Sequence, residues 1–439
     1  TLTPGDVAAQ FEPSLRTALS VGSWEQALEI VAIVRAIDPV GEQVRNWAYT
    51  TAMQYGQALV EDGQVDGALT QFDQAATLLA GDEEANLWLE TTQLYQAGRD
   101  AAAGAQWEKA VQHFESAEKR LPNYGDLFGR LTEAYRGQGQ AAIEDDNWAL
   151  AIEATSLFRE RSPSDPDARN LLSQAYRGHA QAAMTAGRWS SAIDTMTEAR
   201  AQLPGDGQVT ELLSRAYLGR GQSAMARQDW TAAIEALQQG NQQLPGDQEI
   251  VAALSTAFRQ RGIALEERAT RNTKTLNMGM LREARSDFQE ALALLPGNAT
   301  AQAHLVQVDK ILFPPKRIEV DISQQRLYAW EGDRLVYKFK VSTGLRGQDT
   351  ATGRFRILDK IPMAYSRIWR LRMPNWMGIY YVQGIENGFH GLPYRPDGTK
   401  MWGGLLGRRA SYGCIVLGTK QAKTLYNWAE IGTRVDIHR

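Results

Sequence analysis

The chain has one cysteine, Cys414, in 439 residues, so it can form no internal disulfide. A single thiol suits an oxidising compartment, where a second would threaten the first, and it suits a reducing one equally well. Histidine is scarce too, with five in all. His113, His179 and His304 are scattered over predicted helices without ligand spacing, and His438 closes an alternating, strand-like run, a pattern that argues against a metal site. No apolar run reaches the roughly 18 residues that span a bilayer, so no transmembrane segment is expected in this chain. No signal peptide precedes Thr1, an absence that decides nothing because numbering can begin at a mature end. With 43% hydrophobic and 22% charged residues the composition is that of a soluble globular protein, and the length suits two or three domains.

The net charge of −4 conceals an asymmetry. From Phe313 onward there are 21 Lys and Arg against 10 Asp and Glu, which leaves 26 against 41 before it: balances of +11 and −15. A basic C-terminal part would attract an acidic polymer such as a teichoic-acid-bearing wall, while the acidic part discourages nucleic acid, which is not expected as a partner. Two ordinary solvated surfaces would give the same numbers.

From Gly22 to Pro296 a unit recurs. Trp24, Val65, Trp107, Trp148, Trp189, Trp230 and Leu281 are equivalent points, separated by 41, 42, 41, 41, 41 and 51 residues, so about seven copies fill this region. After each point runs an apolar ladder, as in Ala110, Phe114, Ala117 and Pro122, or Ala192, Met196, Ala199 and Pro204. Its offsets of 4, 7 and 12 place one stripe on a helix that ends at proline. These positions resemble the second helix of a tetratricopeptide repeat, and Leu131 with Tyr135, or Leu172 with Tyr176, resemble its first. The period exceeds the usual one by about two helical turns, which lengthens the first helix without rotating its buried face. Glycines at the extension, such as Gly137 and Gly178, would let helices pack closely, and the tryptophans read as packing residues. The last copy carries a polar, basic insert around Arg268 to Thr275, expected as a loop. The resemblance implies an all-α solenoid over residues 1–312, whose extended face binds an unknown protein partner or only positions the C-terminal part.

At Phe313-Pro314-Pro315 the pattern changes, with a stiff junction over residues 313–316 too short for a flexible tether. Residues 317–439 then form a mainly-β domain. Period-two alternation marks strands at Ile318 to Ile322, Leu327 to Trp330 and Leu335 to Val341, with a hairpin turn at Glu331-Gly332-Asp333, and one helix is expected near Gln421 to Ala429. Met363 to Gly378, rich in Trp, Met and Arg, reads either as a wall or lid for an extended substrate, with Trp376 a candidate contact, or as core.

The chemistry concentrates between Phe389 and Leu417. A thiol nucleophile needs a nearby base, and His390 is the obvious partner of Cys414. Small residues flank the thiol, so backbone N–H groups at Gly413 and Cys414 are candidates for an oxyanion hole. The Gly- and Pro-rich run between His390 and Cys414 reads as a loop over the site.

These residues resemble the L,D-transpeptidase (YkuD-like) catalytic domain. Its His-Gly appears as His390-Gly391, and its Ser/Thr-His-Gly-Cys as Ser411-Tyr412-Gly413-Cys414. Val341 to Gly344 and Thr350 to Phe355 resemble two upstream segments, and Ile431 to Val435 resembles the closing strand. Tyr412 stands where the family has a second His, Val416 where it has Arg or Asn, and the 21-residue spacer between His390 and Tyr412 is long. The resemblance implies a peptidoglycan L,D-transpeptidase that acts on stem peptides outside the cytoplasm, with Cys414 as nucleophile, His390 as base and the Gly391 carbonyl orienting the ring. It requires no cofactor. Ser411 and Tyr412 are candidate substrate contacts; Arg408 and Arg409 either meet substrate carboxylates or are a solvated pair. The competing reading is an inactive scaffold that binds wall or protein partners, favoured by Tyr412 and Val416 and opposed by the presence of both Cys414 and His390.

Overall fold

The computed structural model describes residues 2–272 and 275–439. The chain divides into two compact units, Thr1–Ala253 and Leu254–Arg439. Sixteen helices precede the first strand among the described residues: α1 (Pro4–Ala9), α2 (Glu12–Ser20), α3 (Trp24–Ile37), α4 (Glu42–Glu61), α5 (Val65–Leu78), α6 (Glu83–Ala103), α7 (Trp107–Arg120), α8 (Leu127–Glu144), α9 (Trp148–Arg161), α10 (Pro166–Thr185), α11 (Trp189–Gln202), α12 (Gly207–Ala226), α13 (Trp230–Gln243), α14 (Gln248–Thr270), α15 (Met278–Leu294) and α16 (Ala299–Leu312).

In the first unit, the six helices that start at the equivalent points, α3 to α13, have 14 residues each. The ladder Ala110, Phe114 and Ala117 is fully buried, as is Ala192, Met196 and Ala199. The ends of α7, α9, α11 and α13 are set by Leu121, Ser162, Leu203 and Leu244, which leave the helical region because proline follows each of them. An aspartate then opens the next helix. Asp206 accepts from the N–H groups of Gln208 and Val209, and Ser173 on α10 donates to it at 2.7 Å.

Glycines in the longer helices admit their neighbours. A Cβ added at Gly137, Gly178 or Gly219 would enter the indole of Trp107, Trp148 or Trp189, while at Gly139 or Gly221 it would come within 2.5 or 2.6 Å of Thr155 or Leu237 on the helix that follows. Two residues apart on a helix is about 200° of rotation, so each glycine pair faces two neighbours at once. The tryptophans are packing residues here. Of the insert, Arg268 to Thr270 are the last residues of α14, which runs for 23 residues, instead of forming a loop; none of the three is a proline or glycine that would stop the helix. Thr273 and Lys274 lie outside the described residues.

The second unit ends in a nine-stranded sheet built from β1 (Lys316–Asp321), β2 (Arg326–Glu331), β3 (Arg334–Ser342), β4 (Gly353–Arg356), β5 (Asp359–Ser366), β6 (Leu371–Val382), β7 (Ile385–Gly391), β8 (Ile415–Leu417) and β9 (Arg434–His438). Their order is β4-β9-β1-β2-β3-β8-β7-β6-β5. Gly332, with φ 56°, makes the tight β2–β3 turn. The pairs β1–β9 and β7–β8 are parallel and the rest antiparallel. Helix α17 (Thr419–Trp428) buries Ala422 and Leu425 in a core with Phe389, Ile415 and Leu417. No helix among the described residues is long and apolar enough to cross a membrane.

The glycine packing gives a stability test. Gly178→Ala should gain about 1 kcal/mol of helix propensity and lose about 1–3 kcal/mol to overpacking against Trp148, a net loss on urea unfolding. Gly129→Ala in α8, where nothing lies within 4 Å, should instead stabilise by up to about 1 kcal/mol.

Candidate active site

Parallel pairing of β7 with β8 aligns Phe389 with Ile415 and His390 with Val416. Parallel neighbours cannot be joined by a tight turn, so the chain from Leu392 to Cys414 must cross over before β8 begins. Cys414, the last residue of that crossover, arrives opposite Gly388, whose N–H approaches the sulfur and favours the thiolate. Gly388 has to be glycine, since a Cβ there would run into the Met377 carbonyl.

The turn carrying Cys414 is fixed from outside. Ala410 and Ser411 both donate their N–H to the Thr343 carbonyl, and Leu345 N–H returns to Ser411 O at 2.9 Å. Thr350 accepts from Gly344 N–H and donates to the Gly413 carbonyl at 2.8 Å, which also accepts from the Tyr380 hydroxyl at 3.2 Å. The segments singled out upstream, Val341 to Gly344 and Thr350 to Phe355, therefore frame this turn. Gly413 has φ 116°, and a Cβ on it would fall 2.6 Å from Asn387 Oδ1. Its N–H makes only a long 3.4 Å contact with Ser411 Oγ, whose own hydroxyl donates to Cys414 O at 2.5 Å.

Cys414, His390, Ser411, Tyr412 and Trp376 all line one cavity, enclosing about 450 Å³ between its walls together with any open mouth. His390 is 2% exposed. Its Nδ1 lies 2.7 Å from the Gly391 carbonyl, which can only accept, so Nδ1 carries the proton and Nε2 is left as the basic nitrogen. The ring stacks on Trp376 with centroids 6.0 Å apart, and Trp376 Nε1 donates to Asp359. Imidazole and thiol make no hydrogen bond to each other among the described residues. Instead Sγ reaches Asn387 Oδ1 at 3.6 Å.

Burial governs both ionisations. It pushes the imidazole down to about 4 and the thiol up to about 11, the latter with a contribution from the Glu386 carboxylate. At neutral pH the two groups are an uncharged thiol and an uncharged imidazole.

The Trp-rich stretch is a β5–β6 hairpin whose Trp369, Leu371, Met373 and Trp376 line the cavity. Trp369, at its tip, stacks on Tyr412 with centroids 4.3 Å apart, and Trp402 meets the same ring edge-on at 5.5 Å. Tyr412 is thus held at the cavity mouth. Val416 is fully buried in β8 and does not line the cavity. Neither Arg408 nor Arg409 lines the cavity. Arg409 donates to the Gly344 carbonyl at 2.7 Å and pairs with Asp349, while Arg408 is exposed. Sequence reasoning missed Glu386 and Asn387, which line the cavity beside the thiol. Their signal was a polar pair inside a strand that ends in buried Phe389 and His390.

Residues 315–437 match the family model of the YkuD L,D-transpeptidase catalytic domain. Among solved structures the chain is similar to an L,D-transpeptidase from Mycobacterium smegmatis at 20% identity, covering 28% of this chain and 58% of that one, with a TM-score of 0.24. It is also similar to L,D-transpeptidase 3 from Mycobacterium tuberculosis in complex with a faropenem-derived adduct, at 18% identity over 29% and 61% and a TM-score of 0.23. An L,D-transpeptidase from Stackebrandtia nassauensis matches at 20% over 42% and 90%, with a TM-score of 0.24. The chain thus spans 58% of the length of the first of these. No curated protein matches it.

The charge state of the pair is directly measurable. With its titration raised to about 11, Cys414 is thiolate in only about one molecule in ten thousand at pH 7, because the neutral form dominates below the pKa. Alkylation by iodoacetamide should therefore rise about tenfold per pH unit from 7 to 10. A rate that is already level between pH 5 and 8 would mean a preformed thiolate–imidazolium pair.

Proposed function

With a YkuD-family L,D-transpeptidase catalytic domain at residues 315–437 as the premise, we propose that this chain remodels peptidoglycan by cysteine acyl transfer on stem peptides. The observation that supports it most is the convergence of Cys414 and His390 on one cavity, with Nε2 left as the basic nitrogen. The thiol leaves Asn387 and passes its proton to Nε2 as sulfur attacks the stem amide carbonyl. Because both groups begin neutral, proton transfer accompanies attack and needs no resting ion pair. The Gly413 and Cys414 N–H groups receive the oxyanion. Of these, Gly413 N–H is held only by its long contact with Ser411 and can turn to a stronger acceptor.

Collapse expels a terminal D-alanine, whose amine takes the proton from the imidazolium. An amine from a second stem then resolves the thioester into a cross-link, and water in its place gives carboxypeptidase activity. The Gly391 carbonyl keeps the ring in one tautomer. Ser411, Tyr412 and Trp376, which line the cavity, are the substrate contacts in this reading. In this reading residues 317–439 are the catalytic domain, joined through residues 313–316 to a tetratricopeptide-like solenoid over 1–312 that binds a partner or positions the enzyme. The substrate places the protein outside the cytoplasm.

A carbapenem, whose strained lactam carbonyl acylates thiols, tests the reading by intact-mass spectrometry. Wild type should gain one carbapenem mass, Cys414→Ala none, and His390→Ala should react about 100-fold more slowly or less, the loss expected of a general base. A folded wild type that gains no mass would favour an inactive binding scaffold.

A further inference from the structure

Asn387 lies on β7 ahead of His390 and lines the same cavity as the thiol, with 7% of its surface exposed. A primary amide offers two donors and an acceptor oxygen, and a buried one is ordinarily satisfied. Here both ends make only long contacts among the described residues: Nδ2 donates to the Ile385 carbonyl at 3.4 Å, and Oδ1 accepts from Cys414 Sγ at 3.6 Å. The Ile385 carbonyl can only accept, so it turns Nδ2 toward itself and leaves the amide oxygen to the sulfur. Gly413 admits that oxygen, which any Cβ there would obstruct.

The sulfur sits between groups with opposite demands. Gly388 N–H favours the thiolate, whereas an acceptor oxygen needs the S–H proton and favours the thiol. Other titratable groups at the site are His390 and Glu386 on β7, Tyr380 on β6 and Tyr412 in the crossover. Of these, the Glu386 charge opposes ionisation of the thiol, and Tyr380 is engaged with the Gly413 carbonyl. No Lys or Arg among the described residues lines the cavity. With no cation to draw the proton off, the amide of Asn387, and not the imidazole, is the acceptor that the resting S–H finds.

We propose that Asn387 is a positioning residue that holds the resting thiol through Oδ1 and releases it to His390 when a peptide N–H of the substrate takes that oxygen instead. The inference rests on the acyl-transfer reading of the same cavity and deepens it, by coupling the arrival of substrate to activation of the nucleophile. A peptide N–H is a stronger donor than a thiol, so the exchange replaces a weak hydrogen bond with an ordinary one. No covalent bond changes at Asn387, and the S–H proton passes to Nε2 as sulfur attacks the carbonyl.

The test compares two reagents on the full chain, read by intact-mass spectrometry. Methyl methanethiosulfonate reports the thiolate and has no N–H with which to displace the thiol, whereas a synthetic stem tetrapeptide has several. In Asn387→Leu, similar in size but without an acceptor, the small reagent should react about threefold faster or more at pH 7, the factor for losing one weak hydrogen bond. The midpoint of its pH profile should fall. Greater apolar burial alone would do the reverse, raising the midpoint and slowing the reaction. The tetrapeptide should acylate Asn387→Leu no faster than wild type and with a higher KM, because its N–H has lost a partner. Asn387→Asp keeps an acceptor oxygen, so its midpoint should stay at or above that of wild type. Three results would each overturn the proposal while leaving the thiol reading intact: an unchanged or raised midpoint in Asn387→Leu, a lowered one in Asn387→Asp, or a tetrapeptide that gains as much from Asn387→Leu as the small reagent does. If neither the tetrapeptide nor a carbapenem acylates wild type, the enzymatic reading falls, and the role of Asn387 falls with it.

Discussion

Everything at the site depends on two strands, β7 and β8, running parallel side by side. That pairing obliges the chain to travel from one end of β7 back to the start of β8, and the nucleophile is the residue on which this journey ends. His390 and Cys414, 24 positions apart in sequence, become neighbours across a sheet because Phe389 pairs with Ile415. The register also brings Gly388 N–H to the sulfur and leaves Asn387 as the thiol's partner. A slip by one residue would carry His390 to the opposite face.

A second group of contacts keeps the end of the crossover from wandering. The Gly413 carbonyl is gripped by two hydroxyls, from Thr350 and Tyr380, and the backbone before it is bonded to Thr343. All of these holding groups come from segments that look unreactive in the sequence, and none ionises near neutral pH. Burial pushes even Tyr380 up to about 12. Rigidity at the turn is thus obtained without adding charge beside the thiol.

How much could be read in advance depends on the range of each interaction. The helices were legible because their signals are local: a ladder at fixed offsets and a proline that ends it. Trp148 and Gly178 could be recognised as packing residues from their recurrence, although the contact between them spans 30 positions. The strands from Ile318 to Val341 and helix α17 were legible for the same reason. Pairings that depend on sheet order were not. Nothing in Glu386 or Asn387 announces that β7 will place them in a cavity, and nothing in Arg409 reveals that Asp349 will occupy it. The insert was misjudged at Arg268 to Thr270 because polar composition by itself does not end a helix.

Withholding the thiolate has an effect beyond substrate chemistry. The ionised sulfur is the form that attacks peroxides and disulfides, so burial that keeps Cys414 protonated also keeps it from sulfenic acid and mixed disulfides. A chain with one cysteine has no second thiol to rescue an oxidised one. Its chemical endurance rests on the same desolvation that makes the resting thiol slow to react.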